Sequence, residues 1–361
     1  MIVCKFGGTS VGDAAAITRV VDIVTAKLDQ QPVVVVSALG GATNQLLDLA
    51  HKAADGELRA ALDIIAQLRD RHLHEAQALL AGTSDAEALA LEIGSAFEEL
   101  AHLAEAFRTL GYLTPRSLDA VAAVGELLSS QIVAAAFRQR GLPGVYVDAR
   151  DVVRTNDLFT RAEPDTEAIA RACREHIVPL LQQRRIPVLG GFVGSTAGRV
   201  TTTLGRGGSD YSASLIGAAI DAAGIEIWTD VDGMLTADPR RVPKAFPMPE
   251  VTFEEAMELC HFGAKVIYPP TIQPAIEAHI PLVIKNTKNP QALGTRIVET
   301  ATRHPYPITG ISSISSIALA RIQGTGMVCV AGIAMRFFSA LAKHNINVIL
   351  ITQASSEHTI C

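Results

Sequence analysis

The stretch Pro32-Val-Val-Val-Val-Ser37, with Gly40-Gly41 close behind it, constrains this chain more than any other segment. Four consecutive β-branched residues disfavour a helix and show no alternation with polar positions. They read as a strand buried on both faces, which belongs to a parallel sheet covered by helices on either side. Ile2–Phe6 is a second such run, ending in a glycine turn and followed by a helical pattern from Asp13 to Leu28. Further strands are expected at Gly144–Val147, Ile186–Gly190, Ile225–Thr229 and Pro281–Ile284. Strands alternating with helices make βαβ units. The expected fold class is therefore α/β, a three-layer αβα sandwich on a mainly parallel sheet. Residues 56–111 carry Ala, Leu, Glu and His at helical spacing without a strand signal. They are expected to form an inserted helical hairpin at the surface, mainly structural, with a lid or dimer contact as the alternative.

A boundary falls near Thr300–Pro307. After it come a strand pattern over Ile308–Ile322, a helix over Ala334–His344 and a strand over Asn347–Thr352. The expected domains are thus 1–300, with the insertion at 56–111, and a partial α+β domain at 307–361. A β-α-β piece of this size leaves an open sheet edge, so it is expected to be truncated or completed by a partner.

Composition excludes several classes. The chain has 361 residues, 48% hydrophobic and 19% charged, with a formal net charge of −6. That supplies a large core and no basic stripe, so nucleic acid is not an expected partner. Five cysteines, an odd number without CxxC spacing, suit neither a disulfide framework nor a zinc site, and a cytoplasmic location is expected. The N-terminus lacks the pattern of a signal peptide. The most apolar stretch, Val121–Phe137, contains Glu126, so no membrane span is expected.

Six segments carry chemistry. Lys5-Phe-Gly-Gly-Thr-Ser-Val-Gly12 closes the first strand. Its adjacent glycines allow close approach of backbone N–H groups to a phosphate, or simply make a tight turn. Ser37-Ala-Leu-Gly-Gly-Ala-Thr43 repeats the arrangement at a second strand end, where open parallel sheets bind ligands, although Thr43 also suits a helix cap. Glu126, in Val124-Gly-Glu-Leu-Leu-Ser129, is a carboxylate in apolar surroundings that needs a cationic partner, either a substrate ammonium or a structural salt bridge. Leu204-Gly-Arg-Gly-Gly-Ser-Asp-Tyr-Ser-Ala213 surrounds Arg206 with glycines and then starts a helix with Ser209 and Asp210. That composition suits capture of a carboxylate. Trp228-Thr-Asp-Val-Asp-Gly233, continuing to Arg240, places polar groups at another strand end, and its aspartates also suit a turn. Phe262-Gly-Ala-Lys-Val-Ile-Tyr-Pro-Pro270 sets Lys265 among apolar residues.

Together KFGGTSVG, SALGGATN, VGELLSSQ, RTNDLFTRAEPD, LGRGGSDYSA, WTDVDGMLTADPR and FGAKVIYPPT resemble, in order and spacing, the aspartate kinases of the amino-acid kinase fold. The likeness covers about residues 1–298, and the remainder, with ITQASSEHTI, is similar to the start of that family's ACT regulatory region. The resemblance implies ATP-dependent phosphorylation of the β-carboxylate of L-aspartate. Mg²⁺ would be held mainly by the phosphates, a homodimer is implied, and threonine or lysine is the implied effector, with threonine preferred. It implies that Lys5, Phe6, Gly7 and Gly8 hold the ATP phosphates. Ser37, Thr43, Glu126 and Arg206, Gly207, Gly208 and Ser209 meet the substrate. Thr229, Asp230, Leu235, Arg240, Lys265 and Val266 meet the nucleotide. Lys5, Gly8, Asp210 and Lys265 form the implied catalytic set, with Asp210 orienting Lys5 or the glycine loop. Many relatives have Tyr where this chain has Leu235, so altered nucleotide packing is expected. The alternatives are another small-acid kinase of the same fold or a catalytically silent amino-acid-binding regulator. The segments at 286–292 and 350–357 look closer to forms fused to homoserine dehydrogenase. No GxGxxG fingerprint follows a strand here, so a dehydrogenase could lie only outside this chain. If the regulatory region ends at Cys361, blunted feedback inhibition is expected.

Overall fold

The structure is a computed structural model that describes residues 1–262, 266–301, 308–324, 330–352 and 359–360. It divides into two compact units, Met1–Ser313 and Ile314–Cys361.

The first unit is built on an eight-stranded sheet. Its strands are β1 (Ile2–Phe6), β2 (Pro32–Val36), β3 (Gly144–Tyr146), β4 (Ile186–Gly190), β7 (Gly224–Thr229), β8 (Glu250–Thr252), β9 (Leu282–Asn286) and β10 (Thr295–Val298), in the spatial order β3-β4-β2-β1-β7-β9-β10-β8. Every neighbouring pair is parallel except β9–β10. β5 (Val193–Ser195) and β6 (Thr201–Thr203) form a separate antiparallel hairpin. The valine run of β2 divides as the pleat requires. Val34 and Val36 face one layer with Ile2, Cys4 and Phe6, while Val33 and Val35 face the other with Val3, Leu189 and Ile225.

The first layer consists of α1 (Ala14–Thr25), α2 (Ala42–Ala54), α3 (Leu58–Leu80), α4 (Ser84–Leu110) and α5 (Pro115–Gln139). α1 starts where Asp13 accepts the Ala16 N–H at 2.7 Å. α5 starts with a capping box between Thr114 and Ser117 and with Pro115 at its first position. By length and composition α5 is apolar enough to cross a membrane, yet 78% of its most apolar window is buried inside the protein, as in a core helix. The second layer holds the helices Thr166–His176 and Gly208–Ala219.

The hairpin α3–α4 is not a surface appendage, contrary to the sequence expectation. Ile65, Leu68, Leu80, Ile93, Phe97 and Leu100 join the same buried cluster as α1, α2 and α5. His72 lies within it, 1% exposed, with Nδ1 2.7 Å from the Leu68 carbonyl oxygen and its ring 5.3 Å from that of Phe97. Burial, which disfavours the imidazolium, lowers its pKa to about 4. The unfolded chain therefore takes up a proton between pH 6.5 and 4 that the fold does not. The neutral histidine is fully accommodated above pH 6.5, and stability falls as pH drops through this window, by about 3 kcal/mol in all. Urea unfolding at pH 5 and pH 7.5 should show His72→Gln losing less stability on acidification than the parent.

In the second unit the helix Ile333–Lys343 falls where its pattern predicts. The expected strands over Ile308–Ile322 and Asn347–Thr352 do not form among the described residues. The pairing seen is two residues long, Ile322–Gln323 against Thr359–Ile360. Ile317, Leu319, Leu350 and Ile351 are exposed, and an apolar run with no neighbouring strand has no ladder to hold it extended.

Candidate active site

The carboxyl ends of β1, β2 and β4 surround a cavity of about 270 Å³ lined by Lys5, Ser37, Thr43, Glu126, Phe192, Gly205, Gly207, Gly208, Ser209 and Asp210. This edge is where a parallel sheet collects loops. The turns after β1 and β2 lie against each other. A Cβ on Gly8 would stand 3.2 Å from the Ala38 carbonyl oxygen, and one on Gly40 3.2 Å from that of Gly8, both tighter than an ordinary contact, so glycine suits the approach.

Lys5, at the fourth position of β1, sends Nζ to within 2.6 Å of Asp210 Oδ1, and both side chains are almost buried. The expected partnership of Asp210 with Lys5 is present as an ion pair. Phe6 alternates to the opposite face and stacks on Trp228 at 5.9 Å, so its ring does not point at the cavity, and any role it has there falls to its backbone.

Glu126 comes from the core helix α5 and is 4% exposed. Thr43 Oγ1 donates to its Oε1 at 3.3 Å, while Oε2 is buried without a partner. Thr43 does not cap α2. Gly41 holds that position with φ 82°, leaving Thr43 inside the helix and turned to Glu126. Among the described residues Glu126 has no structural salt bridge. Burial raises its pKa to about 8.

The loop after β6 delivers Arg206. Gly207 has φ 72°, and a Cβ there would collide with Tyr268 and Thr271. The Arg206 guanidinium lies 5.2 Å from the Tyr268 ring centroid, a cation–π contact. Ser209 Oγ accepts from Ser37 Oγ at 3.1 Å, and Ser129 Oγ holds the Ser37 carbonyl at 2.7 Å. Phe192, Tyr268 and Asp119 were not anticipated. Asp119 opens α5 two turns before Glu126 and is 1% exposed. Its carboxylate accepts the Thr160 N–H at 2.9 Å, the Thr203 N–H at 3.0 Å and Thr203 Oγ1 at 2.6 Å. It thereby ties the 154–165 loop to the end of β6, directly before the Arg206 loop.

Of the expected nucleotide residues from the end of β7 onward, the described ones, Thr229, Asp230, Leu235, Arg240 and Val266, do not line the cavity. Thr229 Oγ1 donates to Asp230 Oδ1 at 3.3 Å. Leu235 pairs by a backbone bridge with Pro247, and Val266 is half-buried. Arg240 is turned back on Asp238 at 2.9 Å with its side chain 86% exposed. Lys265 lies outside the described residues.

The profile described as the amino acid kinase family matches residues 1–286, and an ACT domain profile matches 321–361. Lysine-sensitive aspartokinase 3 of Escherichia coli is 37% identical over 98% of this chain and 76% of its own. The chloroplastic bifunctional aspartokinase/homoserine dehydrogenase 2 of Zea mays is 35% identical over 99% of this chain, which spans only 39% of that protein. The crystal structure of E. coli aspartokinase III in complex with aspartate and ADP superposes with a TM-score of 0.81 at 36% identity, covering 100% of this chain and 77% of that one. The same enzyme with lysine and aspartate gives a TM-score of 0.84 at 35% identity, covering 100% and 78%. The sheet, the glycine turns and these matches place the chain in the amino acid kinase family, among the aspartokinases.

Proposed function

We propose that this chain is an aspartate kinase, transferring the γ-phosphoryl group of ATP to the β-carboxylate of L-aspartate to give 4-phospho-L-aspartate, a precursor of lysine, threonine and methionine. The observation that carries the reading is the convergence of the Lys5–Asp210 pair, the unpartnered Oε2 of Glu126 and the Arg206 glycine loop on one cavity. A substrate α-ammonium meets Glu126, and its α-carboxylate meets Arg206 with the N–H groups at Gly208 and Ser209. The side-chain carboxylate is left directed toward Lys5. That carboxylate is already ionised near neutral pH, so in-line attack on the γ-phosphorus needs no general base. Catalysis is then positioning plus charge neutralisation. The nucleotide enters as its magnesium complex, with the β- and γ-phosphates over Gly7, Gly8 and Lys5. Its remaining contacts come from the group around Thr229, Asp230, Leu235, Arg240, Lys265 and Val266. Lysine, the ligand of the second E. coli structure, and threonine are the effectors proposed for the ACT segment.

Trapping the acyl phosphate with hydroxylamine tests the reading. Hydroxamate should form with ATP, Mg²⁺ and L-aspartate and not with L-glutamate. Its absence from folded protein, or equal yields from both acids, overturns it.

Asp119 supplies a finer prediction. In Asp119→Asn an amide N–H must face either the Thr160 or the Thr203 N–H, so the loop before Arg206 loses a tie. KM for aspartate should rise about tenfold while KM for ATP stays put, in steady-state assays varying each substrate in turn.

A further inference from the structure

Arg71, on the inserted hairpin, touches neither the cavity nor any proposed substrate contact. Its guanidinium nevertheless reaches both glycine turns. Nη1 donates to the Gly40 carbonyl oxygen at 2.8 Å and Nη2 to that of Gly12 at 2.9 Å. One helical turn further on, Glu75 Oε2 accepts the Ala14 N–H at 2.7 Å, at the start of α1. The two turns that Arg71 joins are those whose backbones touch at Gly8, Ala38 and Gly40.

We propose that Arg71 is a positioning residue for the phosphate-binding turn after β1, which it ties to the neighbouring turn after β2, and that the α3–α4 hairpin serves the kinase site through it. A trans peptide is planar, so fixing a carbonyl also fixes the N–H across the same bond, pointing the opposite way. By holding the Gly40 and Gly12 carbonyls, Arg71 aims the N–H groups of Gly41 and Asp13 away from itself. It also keeps two carbonyl oxygens, which would repel a phosphate, engaged by a cation. A guanidinium suits the task because its rigid fork reaches two separate acceptors at once, whereas an ammonium on a flexible stem does not hold both in a fixed relation.

The inference rests on the kinase reading for its consequence in catalysis but is tested on nucleotide affinity, which does not depend on the acid phosphorylated. ADP binding by titration calorimetry and steady-state kinetics are to be measured for the full chain, Arg71→Lys, Arg71→Ala and Glu75→Ala. Arg71→Lys is expected to weaken ADP binding and raise KM for ATP about tenfold, with a smaller rise in KM for aspartate, whose contacts Ser37 and Thr43 flank the second carbonyl. These are the losses expected when one charged hydrogen bond goes. Millimolar guanidinium should restore part of the affinity to Arg71→Ala. Glu75→Ala loosens the hairpin without touching either glycine carbonyl, so it should lower Tm and leave ADP affinity unchanged. If Arg71→Ala does not fold, the lysine variant carries the comparison. Unchanged ADP affinity in Arg71→Lys, or an equal loss in Glu75→Ala, overturns the positioning role. A chain that binds ADP but yields no aspartyl hydroxamate overturns the kinase reading alone, and a chain that binds no ADP overturns both.

Discussion

The double variant Lys5→Met, Asp210→Asn should fold and bind aspartate, yet lose phosphoryl transfer by on the order of 10³-fold in kcat or more. Lys5 is a cation lining the cavity and lies at the mouth of the first glycine turn, 3.7 Å from where a Cβ of Gly7 would stand. A phosphoryl group leaving ADP spreads negative charge over its oxygens, and a cation held there by Asp210 stabilises that charge without reorganising. The double change matters because the pair is nearly buried. Removing Lys5 alone strands the Asp210 carboxylate at a cost of about 3–5 kcal/mol, and lost activity could then be lost fold. Neutral replacements of similar shape leave no unpaired charge. Urea unfolding and hydroxamate kinetics on the same preparation separate the two effects. Turnover within tenfold of the parent would remove Lys5 from the mechanism.

Much of the fold was legible because buried parallel strands announce themselves. Pro32–Ser37 and Ile186–Gly190 read as strands, and the structure has them as Pro32–Val36, one residue shorter, and Ile186–Gly190. The glycine turns were legible for the same reason, since a glycine pair at the end of such a run has few other uses. What sequence could not display is what lies opposite a polar side chain. Arg71 and Asp119 sit on long helices where a charge ordinarily marks the solvated face. Only the packing reveals that their partners are the Gly12 and Gly40 carbonyls and the Thr160 and Thr203 N–H groups. Phe192 enters the cavity from a residue with φ 67°, a conformation that nothing in Gly-Gly-Phe-Val foretells. At Thr43 a helix cap and a site contact were both readable from the residues, and the structure separates them, because Gly41 takes the cap position and Thr43 lines the cavity. Among the described residues of the second unit the apolar runs before Ile322 and over 347–352 pair with no strand, and pattern alone does not make a sheet.

Glu126→Gln should raise KM for aspartate about 100-fold and flatten its pH dependence. In the parent protein the apparent affinity for aspartate should rise about tenfold per pH unit up to about pH 8 and then level off. The reason is that burial raises the Glu126 carboxyl to about 8, so near neutral pH the empty site holds it largely protonated. An ammonium group arriving at the unpartnered Oε2 restores the carboxylate, and a proton must leave. Calorimetry in buffers of different ionisation enthalpy should therefore show proton release on aspartate binding at pH 7 and little at pH 9. The same shift has a cost in stability. A carboxyl whose folded pKa lies above its unfolded value near 4.5 is accommodated at low pH, and that benefit is lost as pH rises through about 8. At pH 9 the ligand-free Glu126→Gln protein should thus be several kcal/mol more stable than the parent while binding aspartate far more weakly. A gain in stability with a loss of affinity from one substitution marks a charge kept in the core for its ligand. Equal losses of both would mean that Glu126 serves the fold and that the ammonium is held elsewhere.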